Sequence, residues 1–270
     1  MLSIVVLYST DRHRQLINTI DCLNDMDYVA TCEKILCVDG QTDIHPEGWR
    51  VLEIERRGKF YRLGEALNAA IEASSGNHIW YLDSDRILPT NFLNNASLIE
   101  DGLFIFPKYL FSFKEDVDIS SIRMVRDNPY KHESLLVPDH RVENVDIVGH
   151  KNPFAGCVLF AKKTYWEYGG FSADFEAWGY KDYDFWRKAI VCGGRFLPID
   201  CVELHQKHNL SDQRLYDLSN VWSYYYYCSK WKLPIDPKIR VYAGHLHPEK
   251  HKTLDDFLSN VVDKNEVKFN

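Results

Sequence analysis

Asp83-Ser84-Asp85 places two carboxylates one residue apart, directly after the apolar run His78-Ile79-Trp80-Tyr81-Leu82. Hard oxygen donors at a strand end suit Mg²⁺ or Mn²⁺. A cation held there would bridge two phosphates and stabilise a departing diphosphate as a Lewis acid. The same tripeptide also forms surface turns, so its position after a strand-like run gives it weight. A second cluster is Trp178-Gly179-Tyr180-Lys181-Asp182-Tyr183-Asp184. Gly179 beside Trp178 permits close approach of backbone to a ligand. Asp182 and Asp184 are two apart, so on a helix they point to different sides. A carboxylate at a helix N-terminus stays ionised in the dipole field, as a general base must. That suits Asp182, whereas Asp184 reads as a local cap. In the third cluster, Cys201-Val202-Glu203-Leu204-His205 followed by Lys207-His208, an imidazole can serve as a further metal ligand. Two His three apart also make an ordinary surface pair. Arg12, Arg62 and Lys207 are candidates for diphosphate contacts, with solvated surface charge as the alternative for each.

These residues need elements to deliver them. Residues 3–8 form an apolar run ending in Ser9-Thr10-Asp11, a strand followed by a helix N-cap. Leu16, Ile17, Ile20 and Leu23 fall at helical spacing within Arg14 to Leu23. Lys34 to Val38 closes on Asp39-Gly40, a strand and a turn. Trp49 to Ile54 predicts a third strand, Leu63 to Ala73 a helix stopped by Gly76, and His78 to Leu82 a fourth strand. Strands near 103–107 and 157–161 and a helix over Asp182 to Val191 follow. The stretch from Phe111 to Val148 reads as irregular, and the chain turns helical again beyond Ser211. This alternation predicts an α/β fold with a mostly parallel central sheet flanked by helices. Ligands of such sheets bind outside the carboxyl ends of the strands, where Asp11, Asp39, Asp83 and Asp85 all fall.

Composition narrows the function class. The 270 residues carry a net charge of −7, which argues against a nucleic-acid partner. Seven cysteines at Cys22, Cys32, Cys37, Cys157, Cys192, Cys201 and Cys228 include no Cys-x-x-Cys spacing. They read as reduced thiols of a cytoplasmic protein. The opening apolar run is too short to span a membrane. A basic stretch with Lys230, Lys232, Lys238, Arg240, Lys250 and Lys252 offers peripheral contact with the inner face of a membrane, or simply a solvated face.

Phe60-Tyr61-Arg62-Leu63-Gly64-Glu65-Ala66-Leu67-Asn68 and Tyr81-Leu82-Asp83-Ser84-Asp85 resemble the donor half of β-1,4-galactosyltransferases. So do Phe154-Ala155-Gly156-Cys157, Gly169-Gly170-Phe171 and the Trp178 to Asp184 cluster, a set similar to chondroitin-polymerase-like and polypeptide N-acetylgalactosaminyltransferase-like enzymes. Ser3 to Thr42 resembles the start of family-2 glycosyltransferases. The resemblance implies the GT-A (nucleotide-diphospho-sugar transferase) fold, a UDP-sugar donor, a glycan or glycolipid acceptor and Mn²⁺ (or Mg²⁺). It implies Asp39 against uracil or ribose, Arg62 at the nucleotide or diphosphate, Asp85 as principal metal ligand, and Asp83 near the ribose or the metal. His205 falls where the family has a metal-binding His, and Asp182 where inverting members have the general base. Trp178 and Gly179 match a mobile loop over donor and acceptor, and Thr10, Arg12, Ser84, Gly156 and Lys207 complete the nucleotide-sugar-binding set.

Lys181 stands where the family usually has an acid, Gly40 where family-2 enzymes more often have a second acid, and Val202 at another metal-ligand position. Residues 1–215 are expected to form the catalytic domain, 1–100 its nucleotide-sugar half and 101–215 its acceptor half. Residues 216–270 form a helical and basic extension. The expected activity is inverting transfer of a hexose or N-acetylhexosamine, galactose-type favoured. A retaining N-acetylgalactosaminyltransferase-like enzyme and a non-catalytic nucleotide- or sugar-binding module are the alternatives.

Overall fold

The computed structural model describes residues 1–55, 62–138, 146–147, 150–151, 156–175, 179–208 and 213–234. The first strand, β1 (Leu2–Tyr8), is buried along its whole length. Its residues alternate between two cores. Leu2, Ile4, Val6 and Tyr8 face one, with Leu16, Ile20 and Leu23 of helix α1 (His13–Asn24). Val5 and Leu7 face the other, with Ala66, Leu67, Ala70 and Ile71 of helix α2 (Leu63–Ala73). A strand covered on both faces needs a continuous apolar run, which is what residues 4–7 supply.

Strands β2 (Glu33–Asp39), β3 (Arg50–Ile54) and β4 (His78–Asp83) complete the first half. β1 pairs in parallel with β2 on one side and β4 on the other, and β3 lies beyond β2. The chain thus reverses its direction of travel across the sheet at β1, with α1 on one face and α2 on the other. That makes a topological switch point, and ligands of such sheets bind outside the carboxyl ends of the strands, here those of β1 and β4.

The second half adds β5 (Arg86–Ile87), β6 (Leu103–Phe113), α3 (Ile119–Asp127), β7 (Leu136–Pro138), β8 (Asp146–Ile147), β9 (His150–Lys151), β10 (Cys157–Ala161), α4 (Lys162–Glu167), α5 (Lys181–Val191), β11 (Arg195–His205) and α6 (Gln213–Trp231). Among the described residues the main sheet has nine strands in the order β3-β2-β1-β4-β10-β6-β11-β5, with β7 on β6. β10 is antiparallel to both β4 and β6, while β6 and β11 are parallel, so six of the nine strands share the direction of β1. The sheet is therefore mostly parallel, with β10 as its reversed central strand.

The anticipated elements form within a residue or two of their expected ends, and β6 runs six residues further, to Phe113. Part of the stretch read as irregular is ordered: α3 is capped by Asp118, whose side chain accepts from the Ser121 amide. β11 escaped the pattern because Pro198 and a register shift between Ile199 and Val202 break its alternation.

Candidate metal centre and active site

β4 delivers the acidic tripeptide to the carboxyl edge of the sheet. The Asp83 amide donates to the Gly156 carbonyl at 2.8 Å and the Ser84 amide to the Leu7 carbonyl at 3.0 Å. Ser84 is itself buried, and its carbonyl accepts from Thr19 Oγ1 at 2.8 Å. Its part is to turn the chain, so that Asp83 and Asp85 project on from the strand. Asp85 is 1% exposed. The pairing of β5 with β11 sets Arg86 opposite His205, and the Gln206 amide closes onto the Asp85 carbonyl at 2.9 Å.

Two imidazoles converge on Asp85. His208 Nε2 lies 3.2 Å and His205 Nε2 3.4 Å from Asp85 Oδ2. One donor atom from each of the three residues falls within 4.8 Å of the others. His205 Nδ1 is 3.2 Å from Ser112 Oγ, a contact that orients the ring with Nε2 toward Asp85. Neutral imidazoles and one carboxylate in such a cluster form a donor set that fits a divalent cation. His208 enters the group that the sequence alone left as half of a surface pair. Asp83 lies beside it rather than in it, with its Oδ1 accepting from the Tyr81 hydroxyl.

A polar bracket from α1 fixes the His-bearing segment. Gln206 Nε2 donates to the Gln15 carbonyl at 2.9 Å and to Thr19 Oγ1 at 3.0 Å. Asn18 Nδ2 donates to Gln206 Oε1 at 2.9 Å, and Gln15 Nε2 to the Lys207 carbonyl at 2.9 Å. On the other flank, Arg86 Nε faces Asp85 Oδ1 at 3.2 Å and Arg86 Nη1 faces buried Glu203 at 3.3 Å. Gly156 makes room for that guanidinium: a Cβ there would lie 2.6 Å from Arg86 Nε. Periodicity carries no sign of Gln15, Asn18, Thr19, Arg86, Glu203 or Gln206, because their roles depend on partners far away in the chain.

The field differs between the two acids. Burial pushes the Asp83 carboxyl up to about 6, helped by the neighbouring Asp85 charge and opposed by Arg86 and Lys181. Burial also acts upward on Asp85, but the Arg12 guanidinium and then His205 outweigh it and hold that carboxyl well below the usual range. Asp85 is thus the ionised anchor of the pair.

The other anticipated residues spread along the strand ends and the starts of the helices that follow them. Arg12 pairs with Asp85. Asp39 is buried, and its Oδ2 accepts from the Arg62 amide at 2.6 Å, anchoring the start of α2. The Arg62 guanidinium lies on Glu65 at 2.9 Å. The Thr10 carbonyl accepts from the Tyr8 hydroxyl at 3.4 Å, with the Thr10 side chain at the exposed end of β1. Lys207 is exposed, and its Nζ donates to the Lys114 carbonyl at 2.7 Å. Trp178 lies outside the described residues.

Asp182 sits in the first turn of α5 and is held by its own neighbour: Lys181 Nζ is 3.0 Å from Oδ1 and 2.9 Å from Oδ2. Lys181 is only 5% exposed and lies over the Phe171 ring at 5.8 Å. Phe171 packs edge-on against Tyr81, the residue bonded to Asp83, so the α5 terminus and the β4 terminus share one wall. The chain enters α5 through Gly179 at φ +96° and Tyr180 at φ +56°. A Cβ at Gly179 would meet Asn220 Oδ1 at 2.4 Å, which a side-chain shift relieves, so the positive φ is what favours glycine. Asp184 lies on the side of α5 that meets α6. Fully buried, it accepts from Trp231 Nε1 at 2.8 Å and Lys230 Nζ at 3.0 Å, tying α6 to α5 rather than capping its own helix.

No family model matches the chain. It is 31% identical over 126 residues to a hyaluronan synthase of Pasteurella multocida, a stretch that is 45% of this chain and 12% of that protein. Among solved structures, GalNAc-T7 with UDP, GalNAc and Mn²⁺ superposes with a TM-score of 0.57 at 13% identity, over 98% of this chain and 57% of that one. S. aureus TarS 1-349 in complex with UDP-GlcNAc gives 0.55 at 14% identity, over 98% and 77%. The mannosyltransferase PcManGT from Pyrobaculum calidifontis with GDP-Man and Mn²⁺ gives 0.52 at 16% identity, over 100% and 76%. The chain has the GT-A fold and resembles family-2-like glycosyltransferases.

Proposed function

We propose that this chain is a metal-dependent, inverting glycosyltransferase. It moves a hexose or N-acetylhexosamine, galactose-type favoured, from a UDP-sugar to a hydroxyl of a glycan or lipid-linked acceptor. The observation that carries this reading is the Asp85, His205 and His208 donor cluster at the switch point of a GT-A sheet. UDP and Mn²⁺ accompany GalNAc-T7, and UDP-GlcNAc accompanies TarS. Two imidazoles beside one carboxylate suit Mn²⁺ better than Mg²⁺, which prefers an all-oxygen shell. A cation there supplies Lewis-acid stabilisation of the departing diphosphate.

The protein's own residues do the rest. Asp39 and Asp83 line the nucleotide side, with Arg12 and Arg62 toward the phosphates. Asp182 takes the proton of the acceptor hydroxyl as its oxygen bonds to the anomeric carbon. The bond from that carbon to UDP breaks on the opposite face, inverting the configuration. Lys181 must then leave the carboxylate it holds, since its ammonium occupies both oxygens that would meet the acceptor hydroxyl.

That ion pair also favours a second reading, a nucleotide-sugar-binding module that transfers nothing. One experiment separates the two: UDP release from a panel of UDP-sugars with Mn²⁺, with and without chelator. Transfer chemistry gives chelator-sensitive release from at least one donor. A module binds UDP and releases none.

A cytoplasmic location with peripheral contact at the inner face of a membrane belongs to the same proposal. Among the described residues no helix is long and apolar enough to cross a membrane. Lys230 of the basic stretch is engaged with Asp184, which leaves Lys232 and the positions after 234 to make such contact. Salt-sensitive co-sedimentation with anionic liposomes tests it, and no co-sedimentation refutes it.

A further inference from the structure

Asp85 divides its two carboxylate oxygens between different partners. Oδ1 faces Arg86 Nε at 3.2 Å. Oδ2 receives Arg12 Nη1 and also faces His208 Nε2 at 3.2 Å and His205 Nε2 at 3.4 Å. Arg12 therefore holds the oxygen that a cation would share with the two imidazoles. First-row ions sit about 2.0–2.2 Å from such donors. A cation on Oδ2 and the Arg12 guanidinium, both bonded to one oxygen, would lie within about 5 Å of each other in a site shielded from water. Like charges that close repel strongly. The two compete for Asp85 even where space admits both.

Arg12 has somewhere to go. Its backbone is fixed at the start of α1: its amide donates to the Ser9 carbonyl at 3.0 Å, and its carbonyl accepts from the Leu16 amide at 2.9 Å. Its side chain is 18% exposed, whereas Asp85 is sealed at 1%. A guanidinium swinging from that anchor meets phosphate oxygens in a geometry suited to bidentate hydrogen bonding. The N-terminus of α1, a helix of 12 residues, adds its own preference for an anion.

We infer that Arg12 and the metal exchange places on Asp85 Oδ2. Arg12 holds the carboxylate in the metal-free protein, yields it to the cation, and then positions the diphosphate. Cation and nucleotide thus bind cooperatively, with the cation first. This rests on the nucleotide-sugar reading of the same site.

The test is direct Mn²⁺ binding to the whole chain without nucleotide, by electron paramagnetic resonance, followed by UDP titration at saturating Mn²⁺. Wild type, Arg12→Ala and Arg12→Gln are compared, with circular dichroism to confirm folding. Removing a competing charge-assisted contact predicts Mn²⁺ binding about ten- to a hundredfold tighter in both variants. It also predicts UDP binding about tenfold or more weaker once Mn²⁺ is saturating. Unchanged or weaker Mn²⁺ binding in a folded variant overturns the exchange, and Arg12→Gln decides if Arg12→Ala does not fold. If wild type shows metal-dependent UDP release while the variants bind Mn²⁺ as it does, only the role of Arg12 fails. If neither wild type nor variants bind Mn²⁺, the exchange and the metal-dependent function fall together.

Discussion

Replacing Gly156 by Ala would test how the metal centre is supported. A Cβ at this position lies 2.6 Å from Arg86 Nε, 2.9 Å from its Cζ and 3.1 Å from Glu203 Oε1. Ordinary contact begins near 3.4 Å, so the guanidinium must retreat by about 0.8 Å. Its ion pairs with Asp85 and Glu203, at 3.2 and 3.3 Å, would stretch to roughly 4 Å. Losing one partner of a buried charge pair outright costs about 3–5 kcal/mol, and a pair stretched to roughly 4 Å loses only part of that. The expectation is about 1–2 kcal/mol, or a fall in melting temperature of about 2–8 °C for a domain of this size. Urea and thermal unfolding of chelated Gly156→Ala measure it. The cost of the same change in an Arg86→Met background should shrink below about 0.5 kcal/mol, because the head group it strikes has gone. A Gly156→Ala protein within about 0.5 kcal/mol of wild type would refute the claim that Gly156 is there to seat Arg86.

Three further outcomes are expected. His208→Ala should weaken Mn²⁺ binding by at least the roughly ten- to hundredfold that losing a ligand's supporting partner costs, while leaving the fold intact, as titration of Mn²⁺ against the apo protein would show. Asp182→Asn should lower turnover about 10²–10⁴-fold with UDP affinity unchanged, and near-normal turnover would remove Asp182 from the mechanism. Burial pushes the Asp83 carboxyl from its ordinary 3.8 up to about 6 in the metal-free fold. A carboxyl raised in this way stabilises the metal-free fold while protonated and loses that contribution as pH rises through about 6. The stability of chelated Asp83→Asn relative to wild type should therefore rise by about 2–3 kcal/mol between pH 4 and pH 7. A flat difference would contradict the raised carboxyl.

The strand ends carrying Asp39, Asp83 and Asp85 were legible because local periodicity sets where each strand stops. The apolar runs of β1 and β4 had to be covered on both faces, and covering them places their carboxyl ends side by side. Asp184 reads in the sequence as a cap of its own helix because its actual partners, Lys230 and Trp231, lie 46 and 47 residues away. His208 resembled a surface residue because nothing nearby in sequence shows that Gln206 is gripped by Gln15, 191 residues away.

By itself, then, the sequence determined the α/β alternation, the placing of acids at strand ends, and Asp182 in the first turn of a helix. All of these follow from spacing within a dozen residues. Only the tertiary structure decided which of those acids meets two imidazoles, that Arg12 contacts the same oxygen, and that Lys181 holds Asp182. Such contacts depend on the reversal of the chain at β1 and on β11 returning beside β6 to pair with β5. A burial pattern specifies which face of an element is covered. It does not specify which distant charged group faces which, because that is set by the relative placement of elements once the two cores have packed.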